Sequence, residues 1–252
     1  PLGRDLRVTT GTDDLIKGRL ELQNYGSGVV DVSIGDVYFE GADPAVQIDA
    51  GESVSDVDIE IGSIESTAGA GLYFSNRSTA GADLTVNGDV TSVSNGVQVF
   101  TYGCSDDAAT QASATNVFLN GAVRVSDFTP AVYLYNSGDS DLTLITNDDV
   151  SGGSEGIFVQ TEEDAGSVSI YANGENAKTV LDDGSVTYGT IQAVLDAISV
   201  VQAGRGDVTI ETKSDIEAGR SGIKVLSHGT GKLSVYTGYG TGTIAAADTG
   251  IS

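Results

Sequence analysis

The chain has 252 residues, with 34 Gly, 3 Pro, one Cys and neither Met nor Trp. Its formal charge of −24, from 36 acidic against 12 basic residues, repels nucleic-acid phosphates and anionic lipid headgroups, so neither class of partner is expected. Cys104 has no second cysteine to pair with, and no apolar run approaches the ~18 residues that a membrane-spanning helix requires.

In chain order, Pro1, Leu2 and Gly3 read as a cloning remnant, which leaves 4–252 as one fragment. No basic segment followed by an apolar one marks a signal peptide. Three short patterns then recur in a fixed order. The first is apolar-x-apolar: Val30-Val32, Val57-Ile59, Leu84-Val86, Val117-Leu119, Leu142-Leu144, Val168-Ile170, Val208-Ile210 and Leu233-Val235. Successive copies start 27, 27, 33, 25, 26, 40 and 25 residues apart. The second follows Gly-x, as in Gly35-Asp36-Val37, Gly62-Ser63-Ile64, Gly88-Asp89-Val90 and Gly121-Ala122-Val123, with looser copies at Val150, Ile216 and Ile244. The third is small-apolar-x-apolar: Ala45-Val46-Gln47-Ile48, Gly71-Leu72-Tyr73-Phe74, Gly96-Val97-Gln98-Val99, Ala131-Val132-Tyr133-Leu134, Gly156-Ile157-Phe158-Val159 and Gly222-Ile223-Lys224-Val225.

Alternation places every second residue of a strand on one face. No single coil can enclose two or three apolar side chains, but coils stacked at about 4.8 Å build continuous ladders of them. The expected fold is therefore all-β, a right-handed three-stranded parallel β-helix of about eight coils. A sandwich would place its Asn-Gly turns between paired strands. Here Asn87-Gly88, Asn95-Gly96, Asn120-Gly121 and Asn173-Gly174 fall at recurring corners instead. Leucine-rich repeats and propeller blades need signatures or periods that are absent.

Two places break the period. A polar stretch over 104–113 lengthens one coil, and the step from Ile157 to Ile223 holds two coils plus extra chain. Ile191 is expected to mark the third pattern in that interval. Ile191, Val194, Leu195, Ile198 and Val201 form a helical stripe over 190–202, with a strand carrying Ile191, Ala193 and Leu195 inward as its rival.

Chemistry-bearing motifs are sparse. His228 lies in a Ser-His-Gly-Thr-Gly turn, and Cys104 stands beside Asp106 and Asp107, which disfavour its thiolate. The carboxylate groups Asp106-Asp107, Asp148-Asp149, Glu162-Glu163-Asp164 and Asp182-Asp183 are sequence neighbours, so within a strand they would point to opposite faces. Facing pairs would have to come from consecutive coils. Asp56, Asp83, Asn116, Asp141, Ser167 and Asp207 are expected to form one such column, read as a polar corner in preference to a Ca²⁺ site. No Trp is present for a sugar-binding platform. The chain is read as having no catalytic residues, no bound metal and no cofactor.

The phrases Glu155-Gly156-Ile157-Phe158-Val159 and Ser221-Gly222-Ile223-Lys224-Val225, within the wider Gly-Ile-x-Val … Gly-x-Val rhythm from about Gly18 onward, resemble passenger domains of bacterial type V autotransporters, especially α-proteobacterial ones. The resemblance implies display on the outer face of a bacterial outer membrane, attached through a C-terminal barrel that this sequence lacks. It also implies an adhesin or host-interaction role, with a host-cell receptor or an antibody as partner and a monomeric fragment. Binding would then fall on the insertions, 103–115 and 172–205. The candidate residues are Ser105, Asp106, Asp107, Thr110, Gln111, Asn173, Glu175, Asn176, Lys178, Asp182 and Asp183. A β-helix polysaccharide hydrolase or lyase, and a structural or antigenically variable spacer, are the competing expectations.

Overall fold

The structure is a computed structural model and describes residues 4–78, 80–102, 114–180, 186–237 and 243–252. Each coil contributes one strand to each of three parallel sheets. One coil, for example, runs through Asp56–Ile61 (sheet I), Ile64–Ser66 (sheet II) and Leu72–Asn76 (sheet III). Among the described residues each of these three sheets has nine strands, each paired with the equivalent strand of the next coil, and Thr179–Val180 and Val186–Thr187 form a separate antiparallel pair. The parallel β-helix expected from the repeat is the fold. Its first copy, Leu6–Thr9, lies one coil before Val30-Val32, and Leu6 and Val8 are only partly buried in this end coil.

Alternation fills the tube. Sheet I sends inward the column Val8, Val32, Ile59, Leu84, Val117, Leu144, Ile170, Ile210, Val235. In sheet III, Ile48, Phe74, Val99, Leu134, Val159 and Val200 do the same. Most of these side chains are wholly shielded from solvent. Burying one Leu or Ile contributes about 1.5–3 kcal/mol, so stability accrues coil by coil. Small corner residues before sheet III have a steric cause. A Cβ added to Gly71 would lie 2.5 Å from the Gly96 carbonyl oxygen and 2.7 Å from Val90 Cγ1.

Polar columns follow a longer rhythm. The last inward position of sheet III reads Asn24, Ala50, Asn76, Thr101, Asn136, Thr161, Gln202, Ser227 along the stack, an amide on every second coil. The corner entering sheet II reads Asp36, Ser63, Asp89, Ala122, Asp149, Thr190, Asp215, Thr243. Each of its aspartates accepts a hydrogen bond from the backbone N–H of the next coil, at 2.7–2.9 Å. Both columns share a two-coil period, since Asn24 to Asn76 and Asp36 to Asp89 are steps of 52 and 53 residues. Spacing the carboxylates two coils apart avoids stacking like charges ~4.8 Å apart.

Three sequence expectations are corrected. Segment 190–202 is not a helix. Thr190–Ala193 pairs with Val150–Gly152 in sheet II, and Ile198–Gln202 pairs with Ile157–Thr161 in sheet III. Ile191 and Ile198 are inward residues of two successive strands whose seven-residue offset mimics two helical turns, while Val194 lies at the corner, 58% exposed. Ile191 therefore belongs to the second pattern, and Ile198 is the missing copy of the third. The register of sheet I also differs: Leu84 aligns with Ile59, not Val57, because Ala82 and Thr115 occupy the first inward position. A two-residue slip keeps the same face inward, so hydrophobic alternation cannot detect it.

Candidate functional site: an aromatic face on sheet III

The outward positions of sheet III gather six rings over four coils: Tyr73, Phe100, Tyr102, Tyr133, Tyr135 and Phe158. Tyr73, Gln98, Tyr133 and Phe158 form one outward column, and Ser75, Phe100 and Tyr135 form the next. Phe100 lies at the centre, with ring centroids 5.1 Å from Tyr73, 5.5 Å from Tyr133 (edge-on), 5.9 Å from Tyr135 and 6.3 Å from Tyr102 (parallel). Tyr102 lies 5.7 Å from Tyr135, and Tyr133 stacks on Phe158 at 5.5 Å. These spacings suit offset and edge-to-face ring contacts. All six rings are half-buried, covering each other while leaving a continuous aromatic surface. Contiguous exposed apolar surface of this kind marks interaction sites.

Polar groups border the rings. The Arg77 guanidinium lies 5.6 Å from the Tyr102 ring, and the Tyr135 hydroxyl donates to Glu162 Oε1 at 3.1 Å. Burial holds the Tyr73 and Tyr133 phenols above the usual tyrosine range, and the negative charges of Asp49 and Glu162 respectively add to this. Tyr135 is raised by burial and then by its hydrogen bond to Glu162. The phenols are thus neutral donors at any physiological pH. A sequence signal existed: the x of the third pattern is aromatic at Tyr73, Tyr133 and Phe158. The absence of Trp, taken alone, hid it.

The sequence-predicted binding residues divide into two groups. Ser105, Asp106, Asp107, Thr110, Gln111, Asp182 and Asp183 lie outside the described residues, as does Cys104. Tyr102, the last described residue before the first insertion, is itself part of the aromatic face. Asn173 continues the outer column Asn87, Asn120, Asn147. Within that column, Asn120 Nδ2 donates to Asn87 Oδ1 at 3.1 Å and Asn147 Nδ2 to Asn120 Oδ1 at 2.8 Å. Glu175–Ala177 forms a 3₁₀ turn. Asn176 donates from its backbone to the Asn147 carbonyl and from its side chain to the Asn120 carbonyl. Glu175 pairs with Lys213 at 3.1 Å and Lys178 at 3.8 Å, and both lysines approach the Tyr188 ring. Asn173 and Asn176 fasten the insertion to the coils before it, Glu175 ties it to Lys213 of the coil after it, and Lys178 bridges Glu175 and Tyr188 within it. The candidate loop narrows from 172–205 to about 173–189.

The expected acidic column resolves into two. Asp31, Asp58, Asp83 and Asn116 align on the outer face of sheet I, with Asp31 accepting from Arg7 at 2.6 Å and Asp83 from Asn116 at 2.8 Å. Asp56 pairs with Val29 instead. Asp141, Ser167 and Asp207 belong to the preceding corner. There Asp141 accepts the Ser167 N–H and Asp207 the Lys232 N–H, both at 2.7 Å, while the Ser167 hydroxyl accepts the Asp207 N–H at 3.3 Å. Burial and then the charges of Asp31, Asp83, Asp56 and Glu60 raise the Asp58 carboxyl. Among the described residues no group of three or more His, Cys, Asp or Glu could hold a metal ion. His228 is exposed in its turn, as read from sequence.

No family model, curated protein or solved structure matches this chain.

Proposed function

We propose that the chain is the passenger part of a surface-displayed autotransporter that acts as an adhesin, with the β-helix as a rigid rod and binding concentrated on its central coils. The observation that carries this reading is the six-ring face on sheet III, which includes Tyr102, the last described residue before the first insertion. Aromatic anchors on a rigid scaffold contribute contact area at low entropic cost. A −24 surface suits a protein that stays soluble at the cell exterior and keeps sheet edges from self-pairing. The partner would be a receptor on a host-cell surface, bound without cofactor or catalysis.

Purified protein should coat beads and attach them to host cells. Deleting 104–113 together with 174–188 should abolish attachment while the far-ultraviolet circular dichroism stays β-type. Undiminished attachment by that variant would refute the loop assignment. A polysaccharide hydrolase is the second reading, favoured by the stacked Asp31, Asp58 and Asp83 with a raised Asp58. Those carboxylates line an outward sheet face where Asp58 and Asp83 are exposed. Reducing-sugar release from a polysaccharide panel, lost in Asp58→Asn, would establish this second reading over the first.

A further inference from the structure

We propose that the aromatic face of sheet III is a binding platform for an uncharged, extended polysaccharide lying along the solenoid axis. The inference rests on reading this face as a binding surface, and it names the ligand class.

Four features of the face select that ligand. Sugar rings present apolar C–H faces that stack on flat aromatic rings, and their hydroxyls need polar groups at the edges. Here Tyr73, Phe100, Tyr133 and Phe158 supply the rings, and Gln98 and Tyr135 place an amide and a hydroxyl among them. Second, the platform is polymeric in form. Tyr73 and Tyr133 share a column with Gln98 between them, so their strands are two spacings apart, about 9.6 Å. That is close to the length of a disaccharide unit in an extended chain. Third, Asp49 and Glu162 border the face, and the nearby Arg77 is engaged with the Tyr102 ring. A uronate or sulfated chain would meet like charge there, whereas a neutral one would not. Fourth, the Tyr73 and Tyr133 hydroxyls are uncharged, so the hydroxyl-rich ligand does not have to displace a charge there.

The test is a titration of the whole chain with β-1,4-linked glucose and mannose hexasaccharides, with oligogalacturonate as the charged comparison. The chain has ten Tyr and no Trp, so its intrinsic fluorescence reports directly on tyrosines. Saturable change with a neutral hexasaccharide is expected, weakened about ten-fold or more in Tyr133→Gln. Gln98 already occupies the same column, so glutamine suits the strand, and circular dichroism verifies the fold. Tyr236→Gln, at an exposed ring on sheet I, should bind like the parent. No saturation with either neutral sugar, equal binding of oligogalacturonate, or indifference to Tyr133→Gln would each overturn the proposal. So would sedimentation showing the face occupied by a second copy of the chain. A loop-deleted protein that loses cell attachment yet keeps the titration leaves this inference standing. A flat titration in the intact chain overturns it whatever attachment does.

Discussion

At position 136 an asparagine is wholly shielded from solvent, and its side chain replaces the water it lost. Its amide donates to the Ser140 carbonyl at 2.8 Å, and its oxygen accepts from the Thr101 hydroxyl at 2.9 Å and the Gly138 N–H at 3.1 Å. Asn136→Ala leaves the Ser140 carbonyl and the Gly138 N–H without these partners, while the Thr101 hydroxyl keeps the Tyr135 carbonyl, and should cost about 2 kcal/mol, read as a lower urea midpoint with an unchanged slope. Asp196 is the charged counterpart, 1% exposed, accepting from Arg220 Nε at 2.8 Å and from the Ser221 N–H at 3.2 Å. Burial alone would raise its pKa, but the Arg220 and Ser221 hydrogen bonds and the Arg220 and Lys224 charges outweigh this and hold it below the ordinary range. A depressed folded pKa means stability that is full above about pH 4 and lost as pH falls through the folded value. Asp196→Ala should cost ~2 kcal/mol at neutral pH, less than a fully buried pair because Arg220 is 42% exposed. The variant should also lose part of the parent's acid dependence in parallel thermal melts at pH 3 and pH 7.

At the scale of the strand, inward faces were largely legible and outward faces were not. Apolar alternation fixes which residues face in because burial is a strong, one-sided force. Outward residues meet only water and their neighbours on adjacent coils, so their meaning depends on register. Its place beside the apolar residues groups Asp83 with Asp56, whereas strand pairing sets it against Asp58. This gives Asp58 its raised carboxyl. Because the folded pKa lies above the unfolded one, ionised Asp58 opposes folding: its effect is absent below the unfolded pKa and grows as pH rises through the folded value. Asp58→Asn should therefore raise the urea midpoint at pH 7, and the gain should vanish below about pH 4. An unchanged midpoint at pH 7 would show that the column is fully screened by solvent.

On the scale of the molecule, stability is distributed among neighbouring coils, but the repeating unit is the coil pair. Deleting 24–75 joins Gln23 to Asn76 and keeps amide and capping aspartate on alternate coils. Deleting only 50–75 places Asn24 beside Asn76 and Asp36 beside Asp89. The shorter deletion should lower the melting temperature more, although it removes half as much chain. The opposite ranking in thermal melts would show that the coils are interchangeable.

The sequence by itself determined the architecture, because a period near 25 residues with two or three inward apolar positions has one economical burial solution, stacking. It also located the insertions as departures from that period. Only the tertiary structure decided which coil residues meet. It converted the 190–202 stripe into two strands, since backbone pairing with Val150–Gly152 and Ile157–Thr161 outweighs a helical pattern that only a corner had produced. It also brought Tyr73, Phe100, Tyr102, Tyr133, Tyr135 and Phe158 onto one face. Residues up to 35 positions apart (Phe100 to Tyr135) become neighbours there because strand pairing sets proximity along the axis, and a linear pattern cannot show that.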